Sequence, residues 1–417
     1  MEIFVKRCAS LLLVFTLQSG WALTLNEAID TALKKSPSII VEHEKVRQAL
    51  EEKRVERAGN LGSVDLVGSY TTYSIPRTLT PIVPPIAPNL VTSRNIGSLG
   101  VKYDVMLFNG FSDIRSIEIA ELSRKISKTE FALTREQLVY NVKSIYFKIL
   151  TLKKERESSQ SYVEALETLQ SRVEKEYRLG KKAKLDLLKV SSELEAAKYN
   201  SSNIENSIRI LKAKLASLIG VEKIESVEAL YDEESVTRDI DPKRSLIYKK
   251  ALLDTQKSRK GISKAKALYY PKVAFNAYYG DNFASGEREE LWQAGVTLNI
   301  PLFDFGSRDA RFQKAKIAHK ISEQRLRSSY LKLKSDIVDA KVRIDSASAK
   351  IEALKKQLEF LKKIEESERI KYRNGASDIY DLLLAISKRR EADSGLIGAV
   401  YELTMQKAYL NLLSAGE

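Results

Sequence analysis

Two short segments of this sequence carry the residue types best placed to do chemistry. Tyr177-Arg178-x-Gly180 is followed by Asp186, and Tyr372-Arg373-x-Gly375 is followed by Asp381. Glycine at the end of a helical run is typical of a helix C-terminus, where it takes a left-handed backbone conformation. Each aspartate then falls in the first turn of a following helix, where a carboxylate is favourable. The two segments therefore predict two helical hairpin tips, each with one acidic side chain close to the turn.

The rest of the sequence offers little to an enzyme. The two histidines, His43 and His319, fall on different predicted helices and have no matched second ligand. There is no glycine-rich phosphate loop, nucleophile elbow or paired-carboxylate motif. We therefore expect no catalytic residues, no metal site and no cofactor, so that any energy for work must come from a partner protein.

Both tip segments belong to a longer internal repeat with an offset of 195 residues, which aligns Gly100–Ser127 with Gly295–Ser322. The pattern of each half predicts a strand, a turn, a very long helix, a tight turn and a second helix. Repeats of this kind determine the architecture. The predicted domains are a signal peptide over residues 1–22, repeat 1 over 23–220, a connector over 221–242 and repeat 2 over 243–417.

The composition fits a chain of solvated helices. Of the 417 residues 30% are charged, only nine are proline, and the net charge is +14. Charge spread over Lys/Glu-rich helix faces explains this balance. A nucleic-acid partner would need basic clusters interleaved with aromatic residues, and the sequence contains none.

The N-terminus predicts export from the cytoplasm. Lys6 and Arg7 precede the apolar run 11–17, and Gly20-Trp21-Ala22 provides small residues for cleavage. Cys8, the only cysteine, would be removed with this signal peptide, which excludes a disulfide framework in the mature chain. No later segment has 18 consecutive apolar residues, so a membrane-spanning part would have to consist of β-strands.

Strand signals occur in pairs in both halves. Apolar Leu99, Val101, Tyr103 and Val105 alternate with a polar set, and the same alternation returns over 292–300. Partner strands are predicted over Val64–Tyr73 and Lys272–Tyr279, and the proline-rich segment Ile75–Pro88 is predicted to be an external loop. The polar positions that we expect to face the lumen of a barrel are Lys102, Asp104, Thr297 and Asn299.

The helices are too long for a globular core. The segment Asp113–Leu179 contains no proline or glycine over 67 residues, which corresponds to about 100 Å of helix. Apolar residues step by four and three, both in this helix and in its counterpart in the second half. Such heptads favour left-handed supercoiling against a partner helix.

Four strands in one chain cannot close a barrel. An open sheet in lipid would leave backbone groups unpaired at several kcal/mol each. If the strands lie in a membrane, several copies must share one barrel, and the same assembly would gather the long helices around a duct.

The sequence resembles the TolC family of outer-membrane efflux proteins. The resemblance covers nearly all of the mature chain and rests on Leu23–Ile29, Ser36-Pro37, Gly295–Phe303 and the two Tyr-Arg-x-Gly turns. It implies a mainly α fold with a long α-helical barrel and four transmembrane strands per chain, in two tandem repeats. It also implies a homotrimer with a 12-stranded barrel in outer-membrane lipid and a periplasmic tunnel. Its partners would be a periplasmic adaptor and an inner-membrane pump of the RND or ABC type.

The resemblance also implies a gate at the periplasmic tip. Asp381 matches an acidic ring that narrows the pore, and Leu384 takes the place of a second aspartate one turn further on. Tyr372 and Asp186 match a pair that locks neighbouring helices, whereas Ser377 replaces the arginine that often joins them. The alternatives are that Asp381 is an ordinary solvated carboxylate near a helix N-terminus and that Leu384 is seam packing.

The tip turns resemble the adaptor-contact turns of the family, through Arg178, Gly180, Arg373 and Gly375. Ordinary helix-hairpin chemistry explains the same glycines. For the function as a whole, the prediction is a passive exit duct for small molecules. The alternatives are an exit duct for type I protein secretion and, in a different class, an exported coiled-coil scaffold.

Overall fold

The computed structural model describes residues 23–82, 91–228, 240–284 and 286–416. The predicted signal peptide with Cys8, the later part of the proline-rich loop and the middle of the connector lie outside the described residues.

Seven helices account for most of the described chain and confirm a mainly α fold. The two longest helices have 67 residues each, and the helices that follow them have 36 residues each. Corresponding ends lie 195 residues apart, so the predicted repeat holds to the residue. The helices are α1 (Leu25–Lys35), α2 (Pro37–Gly59), α3 (Ser112–Arg178), α4 (Lys184–Ile219), α5 (Leu246–Lys266), α6 (Ser307–Arg373) and α7 (Ile379–Ser414).

Four strands form one antiparallel sheet in the order β1-β2-β3-β4. They are β1 (Ser63–Thr78), β2 (Thr92–Phe108), β3 (Lys272–Ala284) and β4 (Glu287–Asn299). Each repeat therefore contributes one hairpin, and β2 and β3 join the hairpins in the middle of the sheet. The strands extend beyond the predicted alternating segments at their far ends.

From the sequence, Asn26 is a plausible N-cap for the first helix, because asparagine favours that position, but the structure places the cap elsewhere. Thr24, not Asn26, is the N-cap of α1, and its hydroxyl accepts a hydrogen bond from the backbone N–H of Glu27. The Glu27 carboxylate accepts in return from the Thr24 backbone N–H at 3.0 Å. This capping box satisfies two N–H groups that a helix start leaves unpaired, which Asn26 could not do from inside the helix.

The chain divides into two compact units that cut across the repeats. Among the described residues, unit 1 is drawn from 23–37, 137–228 and 340–410, and unit 2 from 38–82, 91–136, 240–284, 286–339 and 411–416. Helices α3 and α6 contribute to both units. Each compact unit therefore contains parts of both repeats, and neither unit corresponds to a single repeat.

The predicted heptad seams are buried. In α3, Leu138, Val142, Ile149 and Leu152 are buried, and α6 buries six residues of its own seam. Those six are Leu333, Ile337, Ala340, Ala347, Ile351 and Leu358. None of the helices in the described part of the chain is apolar enough over a sufficient length to cross a bilayer.

The first part of the connector packs in unit 1. Leu23 forms a parallel bridge with Val227, and Lys153 on α3 donates from Nζ to the Val227 carbonyl at 2.7 Å. The fully buried Tyr146 places its hydroxyl 2.8 Å from the carbonyl oxygens of Leu23 and Glu228. Leu23 and the first part of the connector are therefore fixed to α3 by hydrogen bonds.

Candidate functional site

One face of the sheet is apolar and open to its surroundings. Leu66, Val101, Tyr279 and Trp292 lie side by side in one row across all four strands. Their exposed fractions are 75%, 45%, 58% and 71%. Water-soluble proteins rarely expose a contiguous apolar surface of this kind. The face is suited to an apolar medium.

The opposite face is polar and linked by hydrogen bonds. Lys102 lies 2.7 Å from Asp104, and Asn276 donates from Nδ2 to Asp104 Oδ1 at 2.5 Å. Thr297 donates from Oγ1 to Asn276 Oδ1 at 3.4 Å. The structure thus brings together three of the four predicted lumen residues. Asn299 lies one polar position further on, opposite Lys272.

Asn276 is the residue of this network that the sequence analysis missed. It lies on the strand Lys272–Tyr279, where the neighbouring Phe275 and Ala277 are apolar. That alternation was the available signal. Its role became visible only with the register, which places Asn276 between Asp104 and Gly295.

The sheet has two open edges. β1 pairs with β2 and β4 pairs with β3, so in the described chain the outer sides of β1 and β4 have no partner strand. Exposed strand edges are sites where another chain can add strands. In lipid they would have to be paired.

The two predicted hairpin tips are present in unit 1, and each is closed by a glycine. Gly180 and Gly375 have φ of 70° and 72°, which is the left-handed region. Lys181 N–H donates to the Glu176 carbonyl at 2.8 Å, and Ala376 N–H donates to the Lys371 carbonyl at 2.9 Å. These bonds are Schellman motifs, and they explain why both long helices end where they do.

One apolar cluster joins the two hairpins below their tips. It contains residues from all four helices of the hairpins and is buried throughout. Its members are Tyr162, Leu166, Leu169, Val173, Val190, Leu194, Ala197, Tyr372, Ile379, Leu382 and Ile386. The two tips are therefore held as one packed body within unit 1.

Tyr372 lies in this cluster, but it is not hydrogen-bonded to Asp186. Its side chain is 3% exposed, and its hydroxyl has no hydrogen-bond partner among the described residues. Lys182, in the first tip turn, places its Nζ 4.2 Å from the centre of the tyrosine ring. This cation–π contact links the two tips where the sequence suggested a tyrosine–aspartate pair.

Burial raises the pKa of Tyr372 to about 12, and the negative charges of Glu176 and Asp186 add to this effect. Since the pKa is raised above the ordinary value of 10.0, packing of the neutral phenol is intact below pH 10. It should be lost progressively as the pH rises toward 12.

We therefore expect the tip to loosen in alkali. A phenolate difference titration of the wild type against Tyr372→Phe should isolate one tyrosine with a midpoint near pH 12. Since burial is the first cause of the shift, Leu166→Ala should move this midpoint toward 10.0. A midpoint near 10.0 in the wild type would mean that Tyr372 is solvated in the assembled protein.

Asp381 and Leu384 lie on one exposed side of α7. Asp381 is exposed and Leu384 is 40% exposed. The Asp381 backbone N–H donates to Asp378 Oδ1 at 3.0 Å, so Asp378 caps the helix and the Asp381 carboxylate is left facing outward. The side chain of Leu384 does not belong to the buried cluster.

The arginines of both tip turns lie on the surface of the chain. Arg178 and Arg373 are exposed, and Arg178 forms an ion pair with Glu174 at 2.6 Å. Ser377 places its buried Oγ without a hydrogen-bond partner among the described residues. The turns are thus accessible on the surface of the chain.

The histidines are placed apart. His43 packs edge-on against Phe131, and His319 Nδ1 lies 3.0 Å from Ser258 Oγ. Within the described ranges, no group of three or more His, Cys, Asp or Glu residues is arranged to hold a metal ion.

A sheet with an apolar face, a polar face and two open edges, carried by long helical hairpins, defines a subunit of a membrane channel. A model of the outer membrane efflux protein family matches residues 28–221 and 245–416. The chain belongs to this family, and it is an outer-membrane efflux channel protein.

Known proteins of this kind are similar over most of the chain. Outer membrane protein TolC of Vibrio cholerae is 22% identical over 335 residues, which cover 76% of this chain and 73% of that protein. The structure of VceC from Vibrio cholerae matches with a TM-score of 0.81 and 17% identity, covering 94% of this chain and 96% of that one. The open state of the MtrE channel of Neisseria gonorrhoeae matches with a TM-score of 0.78 and 18% identity, over 94% and 89%.

Proposed function

We propose that three copies of this chain close one 12-stranded barrel in the outer membrane and that their helices enclose a periplasmic duct leading to it. The observation that carries this proposal is the sheet with one apolar face and two open edges. In lipid each unpaired backbone group costs several kcal/mol, so β4 of one copy must pair with β1 of the next. Head-to-tail pairing of this kind closes into a ring.

The helices that adjoin the two edge strands support the same ring. On α2, which leads into β1, Val41 and Val55 are 53% and 69% exposed. On α6, which follows β4, Ile317, Ile321 and Val338 are 59%, 47% and 55% exposed. Apolar positions on both flanks of unit 2 are what a head-to-tail interface would bury.

The ends of β2 and β4 carry an aromatic rim that suits a membrane surface. Phe303 and Phe305 are 75% and 92% exposed, with ring centres 4.8 Å apart. Phe111, after β2, is 55% exposed and stacks edge-on with Phe108. Phe111 and Phe305 have positive φ, an uncommon conformation for bulky residues. Such rims mark the interface of outer-membrane barrels, and here the rim supports a periplasmic position for the helices.

The duct would be passive. We expect a periplasmic adaptor to meet the exposed turns around Gly180 and Gly375 and an inner-membrane pump to supply the energy. Small-molecule efflux is the function that the family supports. Three copies of Asp381, brought together by the symmetry of the ring, would repel one another and attract cations, which makes them a gate that opens easily.

Asp381→Ala should change cation block and conductance in a planar bilayer. The reason is that three exposed Asp381 carboxylates, one from each copy, would form a ring of negative charge at the narrow end of the duct. Asp378→Ala is a control, since it also removes a tip carboxylate but one that caps a helix. Equal behaviour of wild type and Asp381→Ala would make Asp381 an ordinary solvated side chain.

The proposed assembly is tested by membrane fractionation. The protein should sediment with the outer membrane and, after detergent extraction, have the mass of three chains. A monomer that never partitions into detergent would contradict the proposal.

A further inference from the structure

Unit 2 contains a cleft whose lining includes five basic side chains. Its volume is about 680 Å³, and it lies where α2, α3 and α5 come together. Ion pairs join α2 and α5 to α3. Lys53 on α2 pairs with Glu121 on α3, and Lys260 on α5 pairs with Glu118 on α3. The charged residues of the lining are Lys53, Arg57, Glu118, Glu121, Lys125, Arg259 and Lys260.

The two carboxylates of the cleft are already shared between cations. Glu121 accepts from Lys53 and from Arg124, both at 2.7 Å. These bonds lower the pKa of Glu121 to about 2, with the Arg124 contact as the larger cause. Glu118 is likewise bonded to an arginine of α3 and to Lys260, which lowers its pKa. Neither carboxylate is left to neutralise a further cation.

Three cations of the cleft have no such partner. The side chains of Arg57, Lys125 and Arg259 are exposed and take part in no hydrogen bond or ion pair among the described residues. Each comes from a different helix, and all three line the same cleft. With five cations and two carboxylates, the lining carries an excess of positive charge.

We propose that this cleft binds a soluble anion that bears phosphate groups. Two guanidinium groups and an ammonium group provide forked and point-charge donors that match phosphate oxygens. Convergence of unpaired cations in a concave site concentrates the positive potential there. Gln256 and Ser263, which also line the cleft, can donate further hydrogen bonds.

The distance of the cleft from the sheet favours a soluble anion over a lipid headgroup. Lys125 lies 13 residues after the first residue of α3, which is about 20 Å along the helix from its N-terminus beside the sheet. The headgroup layer on one side of a bilayer is only about 5–8 Å thick. A headgroup could approach Arg57, close to the end of α2, but not the whole cleft.

Calorimetric titration of the purified oligomer with tripolyphosphate tests the site. The measurement is made in nonionic detergent at about 0.1 M ionic strength, where charges more than about 10 Å apart are largely screened. The wild type should bind one tripolyphosphate per chain. The variant R57Q/K125Q/R259Q should bind about tenfold more weakly or not at all, because it loses three charge-assisted contacts.

The matched control removes the same charge outside the cleft. Arg311, Lys314 and Lys332 are exposed on α6, and R311Q/K314Q/K332Q should retain wild-type affinity. Equal loss in both variants, or no saturable binding in the wild type, would overturn the proposal. The mass and conductance of each oligomer are measured alongside. A conducting oligomer without binding would contradict only this inference, and its failure is thereby separate from that of the channel.

A second arm distinguishes the source of the anion. In nanodiscs of phosphatidylglycerol, tripolyphosphate should bind as it does in nanodiscs of phosphatidylcholine. A loss of affinity confined to phosphatidylglycerol would mean that headgroups occupy the cleft, which would overturn the assignment to a soluble anion.

Discussion

Ala294→Arg should prevent the protein from accumulating in the outer membrane, whereas Gln293→Arg should not. The two residues are neighbours near the middle of β4, and both are exposed in the chain. Ala294 lies in the row of Val64, Tyr103 and Ala277 on the apolar face. An arginine facing lipid near the bilayer centre costs about 2–4 kcal/mol in each copy.

Gln293 is the matched control, because it lies on the polar face in the row of Lys102. An arginine there would face the lumen and remain in water. The measurement is the amount of heat-resistant oligomer in the outer-membrane fraction, which we expect to fall more than about tenfold for Ala294→Arg only. Equal levels for the two variants would mean that the apolar face does not contact lipid.

Leu166→Ala should open the hairpin tips. Leu166 is fully buried in the cluster that joins α3, α4, α6 and α7. Removing a buried leucine side chain costs about 2–5 kcal/mol, since the cavity that remains is only partly refilled. Local opening of unit 1 should therefore become at least about tenfold more frequent.

Trypsin cleavage after Lys181 or Lys182, in the first tip turn, reports this opening. Leu179→Ala is the control, since Leu179 is 70% exposed and its truncation leaves no cavity. We expect rapid cleavage in Leu166→Ala and wild-type rates in Leu179→Ala. Similar rates in the two variants would indicate that the cluster does not hold the tips together.

The longest helix of each repeat could be predicted from the sequence almost to the residue. The run without proline or glycine from Asp113 to Leu179 became α3, Ser112–Arg178, because nothing inside it interrupts the hydrogen-bond ladder. The glycines at the two tips ended both long helices because only they take the left-handed conformation without strain. The repeat offset of 195 residues then predicts the bounds of α6 and α7 from those of α3 and α4.

The strands were predicted too short because propensity was a poor guide to their ends. β4 begins at Glu287, and its first four residues are charged and would not be chosen as a strand. These charged residues are in a strand because the hairpin pairs Glu287 with Ala284, and strand propensity depends on such context. The same holds for the start of β2 at Thr92, which lies seven residues before Leu99, where the clear alternation begins.

The candidate site could be predicted only in part. Sequence placed Tyr372, Asp186 and Asp381 at the tips, but not their contacts. The contact of Lys182 with the Tyr372 ring depends on how two hairpins pack, and no spacing within either hairpin encodes it. The Asp381 gate and the adaptor turns remain proposals, since they depend on neighbouring copies and on partners.

Single-channel recording of the purified oligomer tests whether several copies of the chain complete one wall around a pore. We expect discrete and uniform conductance steps from a preparation with the mass of three chains. A folded oligomer, extracted from the outer membrane, that never conducts in a planar bilayer would contradict this expectation.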